Sequence, residues 1–220
     1  MSKKIAFFGA TGTFGSRILT EALNRGYEVT AVVVGSAGEL TVSHPNLTVT
    51  SGDVLNAKSV AEVAEGKDAV VSAVGGGYTD GKAHAAFVRN AAESLVEGLR
   101  LLGAGAPRFI SIGGAGSLNT PDGKKVWDTP GLPELVTQVM RGQGDALDYL
   151  RTVSDVKWTH FSPAAQIEPG ERTGNYRLGL DDLVIGEDGN SRISAEDYAV
   201  AFVDELDTPK HIQKRFTVGY

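Results

Sequence analysis

The chain has 220 residues, 41% of them hydrophobic, no cysteine, and a net charge of -6 from 21 Lys and Arg against 27 Asp and Glu. That length suits one α/β domain with a core that needs no covalent staples, and the missing cysteine excludes disulfides, thiolate metal sites and a cysteine nucleophile. Scattered basic residues argue against a nucleic-acid surface and for a small-molecule ligand, and no signal peptide or membrane-spanning run is expected, which points to a cytoplasmic protein.

Residues 4–8 form an apolar run that meets Gly-Ala-Thr-Gly-Thr-Phe-Gly at 9–15. Phe14, Ile18, Ala22 and Leu23 then make a helical stripe that stops at Gly26. A second apolar run at 27–34 completes a strand-helix-strand unit, the arrangement that holds a dinucleotide pyrophosphate. In this reading Gly9 takes the turn off the strand, Gly12 lets backbone approach phosphate, and Gly15 lets the helix lie close on the sheet. The helix dipole and free N–H groups favour the anion. The spacing is G-x-x-G-x-x-G rather than G-x-G-x-x-G, so the surrounding elements carry the argument.

Further along, residues 47–50 predict a short strand, 57–64 a helix, 68–74 a strand, 82–102 a long helix and 108–112 a strand. A glycine- and proline-punctuated loop follows at 113–133, of a length that is usually functional or mobile. Residues 134–153 predict a helix despite Gly142 and Gly144, which cost about 1 kcal/mol each against alanine, and 157–161 a sixth strand. The remainder is irregular from Ser162, with a short strand at 183–185 and a turn at 187–190. Ser194 caps a helix at 195–206 with Asp197 placed as in a capping box, and 214–218 is a last strand. Strands alternating with helices predict a doubly wound parallel sheet of the Rossmann type, order 3-2-1-4-5-6, as a single domain over 1–220 in which 162–220 supplies the substrate side.

Several motifs in this order carry a resemblance: Gly-Ala-Thr-Gly-Thr-Phe-Gly (9–15), Ser-Gly-Asp-Val-Leu (51–55), Asp-Ala-Val-Val-Ser-Ala (68–73), Gly-Gly-Ala-Gly-Ser-Leu (113–118), Ser-Pro-Ala-Ala (162–165), Glu-Pro-Gly-Glu-Arg-Thr-Gly (168–174) and Arg-Ile-Ser-Ala-Glu-Asp-Tyr-Ala (192–199). With them the whole chain resembles an atypical short-chain dehydrogenase/reductase of the NAD(P)H-binding, NADH-flavin-reductase-like family, related to flavin/biliverdin-IXβ reductase. The resemblance implies that Thr11, Gly12, Thr13 and Phe14 line the pyrophosphate, in the cofactor-binding loop that Gly9 and Gly15 shape. It implies Asp53 and Val54 at the adenine, the carboxylate accepting from the amino group, and Ala73, Val74 and Gly75 along the ribose and phosphates. It further implies Ser111, Ile112, Gly113, Pro163, Ala164 and Ala165 around the nicotinamide.

In NAD-selective units an acidic side chain ends the second strand and would repel a 2'-phosphate. Here Gly35 and Ser36 stand at that place and no carboxylate appears before Glu39, so NADP(H) is favoured and NAD(H) is possible. The arginine that the family often places there, which would clamp the phosphate, is missing.

Typical superfamily members protonate a carbonyl with a tyrosine and a lysine four residues on, on the helix after strand five, and with a serine just after that strand. Here that helix carries only Tyr149, followed four residues later by Val153, and Gly113 and Gly114 take the serine's place. Tyr78-x-x-x-Lys82 follows strand four instead, which reads as a cleft wall or a loop aromatic. Ketone reduction needs a positioned acid. Hydride transfer to a flavin, tetrapyrrole or quinone delocalises charge and needs mainly the alignment of two rings.

The expectation is therefore an NAD(P)H-dependent reductase of a flavin-like, biliverdin-like or quinone-like acceptor, clasped by 75–82, 113–133 and 162–173, with no assigned catalytic residue. A monomer or homodimer with no nucleic-acid or membrane partner is expected. The alternative is an NmrA-like redox sensor that acts through a protein partner; an epimerase-like activity is disfavoured by the missing tyrosine and lysine. His84 and His160 read as structural, the scattered histidines give no metal site, Asp145 and Asp148 read as a solvated helix face, and Arg172 as a surface ion pair in preference to a flavin-phosphate ligand.

Overall fold

A computed structural model describes residues 3–34, 40 and 42–220. The elements run β1 (Lys4–Phe8), α1 (Thr13–Asn24), β2 (Glu28–Val33), β3 (Leu47–Ser51), α2 (Ala57–Ala64), β4 (Ala69–Ser72), α3 (Gly81–Leu101), β5 (Arg108–Ile112), α4 (Glu134–Arg151), β6 (Trp158–Ser162), β7 (Gln166–Glu168), β8 (Arg177–Gly179), β9 (Arg192–Ser194), α5 (Ala195–Asp207) and β10 (Lys214–Gly219). The main sheet has the order β3-β2-β1-β4-β5-β6-β10-β8, all parallel except β8, which runs antiparallel to β10. This is the doubly wound order expected from the sequence, with the extra C-terminal strand added beyond β6.

Strand periodicity explains why helices cover both faces. On β1, Ile5 and Phe7 point into one core with Ile18, Leu19 and Ala22 of α1 and Tyr198 and Phe202 of α5. Ala6 and Phe8 point into the other, with Val60 of α2, Leu95 and Leu99 of α3 and Leu147 and Leu150 of α4. On the first face the rings of Phe216, Phe161 and Tyr198 stack in series at 4.1 and 4.3 Å, and the Tyr198 hydroxyl donates to the Phe161 carbonyl at 2.9 Å. That contact fixes α5 to β6 without leaving the buried phenol unpaired.

Two expectations are corrected in the C-terminal part. Residues 183–185 form no strand: the edge of β10 is taken by β8, and the Leu183 N–H goes to the Asn119 carbonyl. The capping box is only half made. Ser194 Oγ accepts from the Asp197 N–H at 3.0 Å, whereas the fully buried Asp197 carboxylate turns away and accepts from the N–H groups of Thr173 and Gly174, the Thr173 hydroxyl and the Tyr220 hydroxyl. Asp197 thus ties the 168–174 segment and the C-terminal tyrosine to α5. The 113–133 loop, for its part, is pinned by backbone bonds from Val126 to Leu118 and from Trp127 to Gly116.

Candidate functional site

The glycine loop is built by close approach. Gly9 has φ +82°, and a Cβ there would lie 2.6 Å from the Ala73 carbonyl carbon and oxygen. A Cβ on Gly15 would overlap the Gly9 carbonyl oxygen, so this glycine lets α1 close on the turn itself rather than on the sheet. Gly12 differs from both: a Cβ there would meet nothing nearer than Gly9 O at 3.5 Å, so its bareness keeps space open. Side chains of Asn56, Asp80 and Ser194 cap α2, α3 and α5. Helix α1 has Gly12 at its cap and no side-chain acceptor, which leaves its first-turn N–H groups available to an anion.

Two connected clefts of about 520 and 540 Å3 lie along the carboxyl ends of the strands and share Gly12, Ala73, Val74 and Gly75. The first is further bordered by Gly9, Thr11, Gly52, Val54, Phe87 and the end of β2 through Val34. The second is bordered by Thr13, Phe14, Gly15, Gly77, Tyr78, Ile112, Gly113 and Gln143. A groove with two lobes meeting at a glycine loop and a helix N-terminus has the form of a dinucleotide: two nucleosides joined at a pyrophosphate.

Five expected residues, Asp53, Ser111, Pro163, Ala164 and Ala165, stand apart from this groove. Asp53 is exposed, with Oδ1 folded back to accept the Leu55 N–H at 2.9 Å, so that the turn before α2 occupies that oxygen. Ser111 points to the α3–α4 face, where its Oγ lies 2.9 Å from His160 Nδ1 beside a small cavity of about 30 Å3. Pro163 and Ala164 are buried, Ala164 in the core under α1 and α5. Gly35 and Ser36 lie outside the described residues.

The second lobe holds a polar arrangement that the sequence reading missed. His84 is fully buried at the start of α3; its Nδ1 is 2.8 Å from the Gly77 carbonyl and its Nε2 is 3.1 Å from Gln143 Nε2. Gln143 reaches the cleft because α4 is approached by glycines: a Cβ on Gly142 would lie 2.5 Å from Ala85, and one on Gly144 would lie 2.6 Å from the Trp127 ring. The Gly142-Gln143-Gly144 triplet, which looked only costly in a helix, was the available signal. Gly114 leaves room for the Gln143 side chain, which a Cβ there would meet at 3.3 Å.

The other candidates fall where a structural role puts them. His160 is buried, and desolvation, with help from Arg215 and Arg151, pushes its pKa down to about 3, so the ring is neutral. Tyr149 lies under the Arg89 guanidinium at 4.7 Å, away from both lobes, and burial raises its phenol. Arg172 makes a bidentate pair with Glu21 at 2.8 and 2.9 Å, which holds the Glu21 carboxyl below its ordinary range. Asp148 pairs with Arg151 at 3.0 Å on the exposed face of α4. Tyr78 is exposed at the mouth of the second lobe, its ring 5.5 Å from that of His84.

Residues 9–209 match the NAD(P)H-binding protein family. Three solved structures are similar over the whole length. One from Burkholderia pseudomallei, provisionally named as an exported protein, is 43% identical with a TM-score of 0.86, covering 99% of this chain and 100% of that one. A Bacteroides thetaiotaomicron protein provisionally named an epimerase is 42% identical with a TM-score of 0.88, covering 100% and 98%. A Streptococcus pneumoniae protein provisionally named an NADH-flavin reductase is 34% identical with a TM-score of 0.85, covering 99% of each. Their names differ while their folds agree. The chain therefore belongs to the NAD(P)H-binding protein family.

Proposed function

We propose that this protein is an NAD(P)H-dependent reductase whose second lobe takes a flat, conjugated acceptor of the flavin type. The observation that carries this is the lining of that lobe. Its polar side chains are Thr13, Tyr78 and Gln143, and among the described lining residues there is no Lys, His, Asp or Glu to serve as an acid. Such a cleft aligns rings better than it protonates a ketone.

In this reading Gly9, Thr11, Gly12, Thr13, Phe14 and Gly15 hold the pyrophosphate through backbone N–H groups. Val54 and Val34 enclose the adenine side, Ala73, Val74 and Gly75 run along the ribose, and Ile112 and Gly113 back the nicotinamide. Bound reduced cofactor supplies a hydride. The residues of the second lobe exclude water and set the acceptor's face towards it. NADPH is the favoured cofactor, because no acidic residue precedes Glu39 after the second strand.

Calorimetric titration with both reduced and both oxidised cofactors, followed by an acceptor screen with FMN, riboflavin, biliverdin and menadione, tests the proposal. Cofactor oxidation dependent on one of these acceptors is expected. Tight, redox-selective cofactor binding with no turnover would replace the reductase with a redox sensor.

A further inference from the structure

Building on the reductase reading, we infer that Gln143 is the residue that selects the acceptor, and that His84 positions it. The argument starts from the Gly77 carbonyl, which can only accept. His84 Nδ1, 2.8 Å away, must therefore donate. In a neutral ring that leaves Nε2 as a lone-pair acceptor. The Gln143 nitrogen, 3.1 Å from it, must donate. The orientation of the amide is thus fixed by a buried ring that is itself fixed by backbone, and Gln143 keeps its carbonyl oxygen and its second N–H for the cleft.

The backbone around this pair leaves little freedom. A Cβ on Gly76 would lie 2.7 Å from His84 Cα, so the 75–77 segment is laid directly on the start of α3. Gly142 and Gly144 hold Gln143 from either side, and Gly114 admits its stem. An amide edge that offers an acceptor and a donor side by side pairs with a ligand edge that carries an N–H next to a carbonyl. Flavins carry such an imide edge and linear tetrapyrroles a lactam edge; simple quinones have carbonyls and no N–H. Gln143 therefore favours imide- or lactam-edged acceptors over quinones, and it does so by reading the edge remote from hydride transfer.

The test compares wild type with Gln143→Met and His84→Asn. Met keeps the length of the side chain and loses both hydrogen-bonding groups. Asn keeps a donor where Nδ1 stood and removes the partner of Gln143. Steady-state kinetics with riboflavin and with menadione are read beside two binding titrations: cofactor affinity by calorimetry, and riboflavin affinity by quenching of its fluorescence with NADP+ bound. For Gln143→Met, kcat/KM with riboflavin should fall about tenfold, chiefly through KM, with menadione changed by less than about twofold and cofactor affinity unchanged. His84→Asn should shift the same ratio in the same direction by about threefold.

Equal losses for both acceptors, no loss for riboflavin, or a loss of cofactor affinity would each overturn the inference. The first would make Gln143 structural, and the last would give it to the cofactor. The riboflavin titration separates this claim from the reductase reading. If wild type turns over neither acceptor yet binds riboflavin in a Gln143-dependent way, the reductase falls and the inference stands. If wild type binds no riboflavin, the inference falls, while the reductase stands on whichever acceptor of the screen it reduces.

Discussion

His160 Nε2 occupies the space that a side chain at position 113 would need: an ideal Cβ on Gly113 would overlap it. His160 on β6 and Ser111 on β5 are register partners, and the 2.9 Å contact between Ser111 Oγ and His160 Nδ1 holds the ring in place. The buried imidazole thus fills the space beside position 113, and the stem of Gln143 lies beside Gly114. Gly113 and His160 therefore depend on one another.

Gly113→Ser should destabilise the fold by about 3 kcal/mol through overpacking, because the imidazole it meets cannot swing away. In the Gly113→Ser/His160→Ala double variant most of that loss should be recovered, giving a coupling of about 1–3 kcal/mol in urea denaturation. Strict additivity of the two single variants would show that the overlap is relieved elsewhere.

The same histidine sets a dependence on acid. Its folded pKa of about 3 lies below the value of about 6.5 in an unfolded chain, so between these limits the unfolded state carries a proton that the native state does not. Stability should therefore be fully present above pH 6.5 and fall as pH drops towards 3, by up to about 1.4 kcal/mol per unit from this residue. Relative to the wild type, His160→Asn should gain about 2 kcal/mol on going from pH 7 to pH 5, read as the change in the difference between their unfolding free energies. Parallel acid profiles would remove His160 as the cause.

Much of the fold was legible because the determinants are local. Residues 57–64 and 108–112 were bounded correctly: Asn56 caps the first through a side chain two and three residues from its partners, and the second is a mostly apolar run closed off by Pro107 before it and Gly113 after it. The central glycine loop was legible because Gly9, Gly12 and Gly15 meet one another within a single turn. Gln143 was not, since its place depends on a backbone approach to Ala85 and a ring 59 residues away, at His84. Asp53 lies outside the cleft lining for a local reason that spacing does not reveal: its Oδ1 accepts from the backbone of its own turn. The 183–185 segment has the composition of a strand, but the edge it needed had gone to Arg177–Gly179.

The three glycines should separate stability from binding. Gly9→Ala combines φ +82° with a contact at 2.6 Å to the Ala73 backbone, and a loss of about 3 kcal/mol or more is expected. Gly12→Ala meets only an ordinary contact at 3.5 Å, so its thermal midpoint should stay within a few degrees of wild type, while its methyl enters the groove where both lobes meet. Its dissociation constant for the cofactor should rise at least about tenfold. A Gly12→Ala protein that binds cofactor as wild type does would remove the pyrophosphate from this loop.

Tyr78 and Lys82 carry the spacing of a catalytic pair, and the structure separates them in use. Tyr78 borders the second lobe with 70% of its surface exposed, while Lys82 is an exposed residue in the first turn of α3 whose backbone N–H is capped by Asp80 at 2.9 Å; it does not border the lobe. Lys82 therefore stands apart from the lobe in which Tyr78 would have to act. Tyr78→Phe should accordingly keep kcat within about threefold, whereas loss of a general acid costs about a hundredfold or more. Tyr78→Ala removes the aromatic wall and should raise the KM for the acceptor with little change in kcat, as expected for a group that contacts ground state and transition state alike. A hundredfold fall in kcat for Tyr78→Phe, measured under saturating cofactor, would instead make the tyrosine the proton donor and require the acceptor to carry a localised oxyanion.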